Sequence, residues 1–352
     1  MEYYLHDDPR MHAAWGPWFS HEYITYFAVQ AFDRIMGLPP VPVKPNPFID
    51  DTQWPVGPGH IDLYKEDYRE ARKIDPLLAF DYGHRNGDFS PDPPLDRTAD
   101  PWKVLVVYTT EPDLNLDCDL SLHKRQKIMG GSHGWRHMRF RILGYRIGMA
   151  PESFRHHRQM AVKAFQEGND YWGWRMLSRC THYLADLGSP FHVKAAPDGY
   201  VIRKILSSHE LFRTASAIHT GYELYVERRF REECRPFKDS LMDGARQGRT
   251  IGGDLDAELD GYVREAERLV KPVFSFMLDR FGTGLVEAYG DVHKDHEEDV
   301  AAQTKKCAAN AARVIFEDSH RPHLKALDDL TADILKRVGR MLGMLLAGFA
   351  DR

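Results

Sequence analysis

Residues 181–192 spell THYLADLGSPFH. On a helix, His182 and Asp186 are four apart and emerge one turn apart on the same face. That placement suits two ligands of one cation, an imidazole nitrogen and a carboxylate oxygen each about 2 Å from the metal. Gly188 and Pro190 end the helix, and His192 follows at its exit, where the turn swings it back toward the same cavity. A second segment, His219-Thr220-Gly221-Tyr222-Glu223, repeats the i, i+4 geometry inside another long helix. Phe212, Ala215, Tyr222 and Val226 bracket it with apolar side chains. His219 and Glu223 are therefore expected to point inward, where an unpaired carboxylate is costly and a metal removes the cost.

A single His–x3–acid pair is ordinarily a surface ion pair, and a lone core histidine is ordinarily just hydrogen-bonded. The combination is what points to a metal: two such pairs, with His192 close behind the first, on helical faces that should be partly buried.

Outward from these segments the pattern is helical. A helix is predicted over 21–36, with Ser20 as its cap and Ile24, Phe27, Ala28, Ala31, Phe32 and Ile35 on one face. His21 opens it on the buried side. Residues 38–60 are rich in Pro and Gly and read as loop, 61–82 as a candidate helix, and 84–101 as loop again. Lys103–Tyr108 (KVLVVY) is a solitary β-like run. From about 133 onward helices are predicted over 151–168 and 171–187, joined near Gly168-Asn169, and then over 208–233, 255–281, 295–317 and 322–350. No strand ladder, G-x-G-x-x-G, P-loop, repeat or low-complexity tract is present. The expected class is all-α: one domain over 1–352, with a long irregular insertion at 38–110 and C-terminal helices over 255–352.

Composition bounds the function. Hydrophobic residues make up 43% of the 352, enough for a sizeable core, and the net charge of −5 supplies no global field for nucleic acid or an anionic membrane. Cys118, Cys180, Cys234 and Cys307 form no C-x-x-C pair, which excludes a readable zinc ribbon or thioredoxin-like site and fits reduced thiols. The first residues, MEYYLHDDPRMHAAWG, lack the pattern of a signal peptide. The expectation is therefore a cytoplasmic protein as the sequence stands, or a secreted one if a leader has been removed. No run is long and apolar enough to span a bilayer, and Val338–Phe349 reads as a core helix. Histidine is the unusual count, at 18.

These motifs resemble the zinc-dependent phospholipases C, including clostridial-type alpha-toxins, and the related fungal and plant single-strand nucleases. His182-x3-Asp186-x5-His192 and His219-x3-Glu223 match that family's spacings, and the HYL and P-x-H contexts match too. Gly131-Ser132-His133 with Trp135 is similar to its Ser-His element. Glu111-Pro112-Asp113 is similar to its Pro-Asp, with Asp117 and Asp119 as neighbouring alternatives. Ser20-His21 is similar to the start of its first helix. The similarity covers roughly 15–36 and 111–230; the last third matches only in being helical.

The resemblance implies an all-helical phospholipase C/nuclease-like domain holding two or three zinc ions. One would take Asp113, His133, His182 and Asp186; a second His192, His219 and Glu223; a third His21, with Asp186 shared as a bridge. In the family this third zinc also uses the amine and carbonyl of an N-terminal Trp. Trp15-Gly16 resembles that terminus, but Met1–Ala14 precede it, leaving His12 or Asp8 as possible substitutes. His137, four residues after His133, is an alternative ligand that fits the motif less well. His156-His157, His293 and His296 read as solvated, Trp172 and Trp174 as core, and Arg136, Arg139 and Arg141 as a solvated face before a phosphate contact. The implied activity is hydrolysis of a phosphoric diester by metal-activated water, with Asp113 as ligand, general base or both, on a small-molecule or phospholipid substrate and without a stable nucleic-acid complex. The alternatives are a single-strand nuclease, a biosynthetic hydrolase on the same metal site, and a helical scaffold with one structural zinc.

Overall fold

A computed structural model of the chain describes residues 20–44, 98–112, 136–142, 145–204, 206–290, 307, 309–316 and 324–350. The described architecture is all-α. In chain order it runs α1 (Ser20–Gln30), α2 (Asp33–Met36), β1 (Val41–Pro42), β2 (Thr98–Ala99), α3 (Pro101–Val107), a 3-10 turn (Tyr108–Thr110), β3 (Phe140–Ile142), β4 (Tyr145–Ile147), α4 (Ala150–Gln166), α5 (Asp170–Gly188), α6 (Pro190–Val193), α7 (Asp198–Lys204), α8 (Ser208–Arg231), α9 (Arg235–Ile251), α10 (Leu255–Tyr289) and α11 (Lys325–Ala347). Residues 309–316 are helical as well. Among the described residues no helix is long and apolar enough to cross a membrane.

Helix α5 is the axis of the molecule. It contacts α1, α3, α4, α6, α10 and α11, and almost every residue from Tyr171 to Gly188 is buried. A helix enclosed on all sides must satisfy its polar side chains internally, and α5 carries Arg175, Arg179, His182 and Asp186. It starts at Asn169, whose side chain accepts the Trp172 backbone N–H, and stops where Ser189 turns extended ahead of Pro190. A residue before proline avoids the α region, and Pro190 then sits in the first turn of α6. Gly188 is required at this corner. A Cβ there would lie 1.9 Å from the Tyr262 hydroxyl, which donates to the Leu184 carbonyl.

Several sequence expectations are corrected. Lys103–Tyr108 is not β-like but the body of α3 and the 3-10 turn after it, so the end of the 38–110 insertion is ordered helix. Val104 to Tyr108 are fully buried, and a short apolar run does not distinguish a buried strand from a buried helix; Pro101 at the start selects the helix. The predicted 21–36 helix breaks at Ala31-Phe32 into α1 and α2. Two short antiparallel pairs, β1 with β2 and β3 with β4, exist where no ladder is expected. The helix predicted over 255–281 continues to Tyr289 across a kink at Gly282.

Helix α9 fills a stretch the sequence left without an element. Its Gly244 and Gly248 face α11. A Cβ on Gly244 would meet the Lys336 carbonyl oxygen at 2.0 Å, and one on Gly248 the Arg340 oxygen at 1.9 Å. Reciprocally, Gly339 and Gly343 of α11 sit against the Leu241 and Ala245 oxygens, each at 2.1 Å. The two backbones are in contact only because all four side chains are hydrogen. Gly339→Ala should therefore destabilise the protein by about 1–3 kcal/mol, read as a lower urea midpoint at unchanged m-value. An unchanged midpoint would mean that the helices part without cost.

Candidate metal centre

Four helices and one connecting segment converge on one site. Helix α1 contributes His21 from its first turn, α5 contributes His182 and Asp186, α6 contributes His192, and α8 contributes His219 and Glu223. His137 joins from the segment before β3. The frame that fixes their spacing is itself polar. The Oγ1 atoms of Thr25, Thr109 and Thr181 lie 3.0–3.2 Å from one another, tying α1, the 3-10 turn and α5 together beside His21 and His182.

Asp186 is the hub and is 1% exposed. Its Oδ2 lies 2.8 Å from His137 Nδ1 and 3.2 Å from His182 Nε2. Its Oδ1 faces His21 Nε2 at 3.4 Å and His192 Nε2 at 3.5 Å, and has no hydrogen-bond partner. The His21 and His182 rings stack with centroids 4.0 Å apart. A second cluster adjoins. His192 Nε2, His219 Nε2 and Glu223 Oε1 form a triangle with sides of 2.9 to 3.0 Å. The donor atoms of His21, His182 and Asp186, and those of His192, His219 and Glu223, form two groups able to hold a metal ion. The first is buried; in the second, His219 and Glu223 remain about one-quarter exposed.

The chemistry of the donors fits cations. The His192 Nδ1–H donates to the His137 carbonyl at 3.0 Å, which leaves the Nε2 of the neutral ring a bare lone pair. That lone pair faces another imidazole nitrogen and a carboxylate oxygen, an arrangement that repels unless a positive species lies among them. A cation about 2.0–2.2 Å from each donor caps such a triangle from one side. The unpartnered buried oxygen of Asp186 makes the same demand.

Without a metal, protons must supply the positive charge. Burial alone would lower the His192 pKa, but Asp186 and Glu223 outweigh it and push it up to about 10. Burial alone would raise the two carboxyls, yet the imidazoles hold both below the ordinary range: His192 and His182 for Asp186, His219 and His192 for Glu223. The His192 contribution to stability is therefore complete below its ordinary value of 6.5 and lost as pH rises through about 10. The carboxylate contributions are present near neutrality and lost as acid protonates them.

Of the sequence candidates, His21, His182, Asp186, His192, His219 and Glu223 are brought together. Asp113 and His133 lie outside the described residues, as do Trp15, Gly16, Asp117 and Asp119. His137, ranked below His133 on sequence, stands at the hub. Its only sequence signal is its place four residues after the Ser-His element. Three background readings are corrected. Arg136 and His157 are buried rather than solvated, with His157 stacked on Tyr183. Phe212, expected to face inward beside His219, is 69% exposed. Trp172 and Trp174 are core, as expected. Arg139, expected on a solvated face, pairs with Asp260, and its backbone N–H holds the His192 carbonyl at 2.8 Å. Buried Glu111 and Arg179 form an ion cluster with Arg175 that the sequence reading did not single out.

Comparison with protein-family models, curated proteins and solved structures gives no match for the chain.

A divalent transition-metal ion entering the second cluster must displace the His192 Nε2 proton. Titrating metal-free protein at pH 7 should therefore release at least one proton per chain, measured calorimetrically in buffers of different ionisation enthalpy. Binding without proton release would show that His192 is neutral beforehand and that the charge balance lies elsewhere.

Proposed function

We propose that this chain is a zinc-dependent hydrolase of phosphoric diesters, of the phospholipase C and single-strand nuclease kind that its motifs resemble. One observation carries the reading: the two clusters abut, with His192 Nε2 2.9 Å from Glu223 and 3.5 Å from Asp186. Paired cations are the arrangement that clamps both the attacking and the leaving oxygen of an in-line displacement.

The residues would divide as follows. His192, His219 and Glu223 would hold the partly exposed ion, and His21, His182 and Asp186 a buried one. His137 stands beside His182 and Asp186, and Asp113 and His133 are the further ligands the resemblance implies. Zinc held there would supply Lewis acidity, lowering the pKa of water from about 15.7 toward roughly 7 and neutralising charge on the phosphoryl group. Asp186 spans the two clusters, Oδ2 toward His137 and His182 and Oδ1 toward His21 and His192, which suits a bridging ligand. The His137 carbonyl keeps His192 in one tautomer. The exposed edges of His219 and Glu223 give substrate its approach.

That open edge also weighs against a purely structural zinc, which fills all four positions with protein ligands. The burial of Trp172 and Trp174 removes both as base-stacking surfaces, which favours a small-molecule or phospholipid substrate over single-stranded nucleic acid.

Protein purified without chelator should contain two or three zinc ions per chain. It should hydrolyse at least one member of a panel of chromogenic phosphodiester, phospholipid and single-stranded DNA, and lose that activity to chelator. Elemental analysis finding no transition metal would sink the reading. Asp186→Asn should lower kcat/KM more than His219→Ala, because Asp186 touches both clusters. The reverse order would remove Asp186 from its bridging role.

A further inference from the structure

Glu111 is a carboxylate buried to 1% exposure, and two arginines hold it. Arg175 Nε donates to its Oε1 at 2.7 Å and Arg179 Nε to its Oε2 at 2.7 Å. Burying three charges carries a desolvation penalty that well-packed apolar residues would avoid, so stability alone gives little reason for the triad. Its placement gives a better one. Arg175, Arg179, His182 and Asp186 occupy positions i, i+4, i+7 and i+11 of α5. They therefore form one stripe on one face, with the arginines at one end and the metal candidates at the other.

The residue after Glu111 closes the loop. The Pro112 carbonyl lies 3.3 Å from His137 Nε2, while Nδ1 of the same ring lies 2.8 Å from Asp186 Oδ2 and 2.9 Å from His182 Nε2. With Nε2 held toward the Pro112 carbonyl, the ring presents Nδ1 to the hub. The anchoring end is rigid. The Arg175 guanidinium lies 3.9 Å over the Tyr108 ring and 4.4 Å over Trp172, and Nη1 also donates to the Tyr171 hydroxyl. The Glu111 backbone N–H donates to the Tyr108 carbonyl.

We propose that the Arg175–Glu111–Arg179 triad is a positioning device for the candidate metal centre. It fixes the Pro112 carbonyl, which accepts a hydrogen bond from the His137 Nε2–H and so turns Nδ1 toward Asp186 and His182. The triad touches neither substrate nor ion, and it acts through His137. Its effect on zinc rests on the function proposed above; its hold on the His137 ring does not.

The test uses the full chain and two variants, Glu111→Gln and the milder Arg175→Lys, whose side chain lies at the edge of the core. Folding is checked by circular dichroism. Zinc affinity is read in steps against a chelating dye, and the His137 tautomer by 15N NMR, with its signals assigned by their loss in His137→Gln. In the zinc-loaded wild type His137 should carry its proton on Nε2. In Glu111→Gln that preference should be lost, and one zinc should bind roughly 10–100-fold more weakly while the other keeps its affinity. Arg175→Lys should move both readouts the same way by less. Variants that keep the wild-type tautomer overturn the proposal, whether zinc affinity is unchanged or falls equally at every site. If the wild type takes no zinc, the proposed function fails, and the protection of the His137 Nε2–H from solvent exchange decides the positioning role alone: faster exchange in the variants supports the device and unchanged exchange overturns it.

Discussion

The buried carboxylate of Asp186 constrains everything around it. An anion this far from water costs several kcal/mol unless positive charge and donors surround it, and His21, His137, His182 and His192 do so. They come from four different stretches of chain. Meeting at one carboxylate fixes where α1 begins relative to α5, how sharply the chain turns into α6, and where the segment before β3 must pass. The cluster of His192, His219 and Glu223 then places α8. The centre is thus a cross-link between helices as well as a candidate reaction site, and apolar packing alone would not dictate that convergence.

The hydrogen bonds behind the imidazoles matter as much as the imidazoles. His192 gives its Nδ1 proton to the His137 carbonyl, and His137 faces Pro112 through Nε2. In both rings a backbone carbonyl lies behind one nitrogen, so the other is directed at the hub. Backbone carbonyls do not titrate, so they remain acceptors for these ring N–H groups at any pH at which the fold holds. The same segment is tied back by the Arg139 N–H to the His192 carbonyl, so His137 and His192 hold each other in register.

Rigidity comes from the surrounding packing. Four glycines let α9 and α11 touch backbone to backbone, and Tyr262 sits over Gly188 at the end of α5. The Thr25–Thr109–Thr181 hydroxyl cluster serves the same end beside the centre. These contacts leave α5 little freedom to shift, and its stripe of polar residues acts as a fixed ruler between the arginine triad and the hub.

The i, i+4 spacings and the apolar periodicity were enough to predict an all-helical fold, the α4–α5 break near Gly168, and His182, Asp186, His192, His219 and Glu223 as one constellation. A helix repeats every 3.6 residues, so spacing along the chain reports which side chains share a face. What lay beyond local spacing needed the tertiary structure. Val104–Tyr108 are enclosed on all sides, which is why their apolar run shows no helical period. The glycines of α9 are contact points because α11 lies against them. His157 is buried against Tyr183 of the next helix. His137 and the Glu111 triad belong to the centre through contacts spanning 25 to 68 positions along the chain, which no helical period encodes. Sequence determined which residues share a face; only the packing of those faces decided which polar groups would be shut away from water together, and that desolvation is what makes them a candidate metal centre.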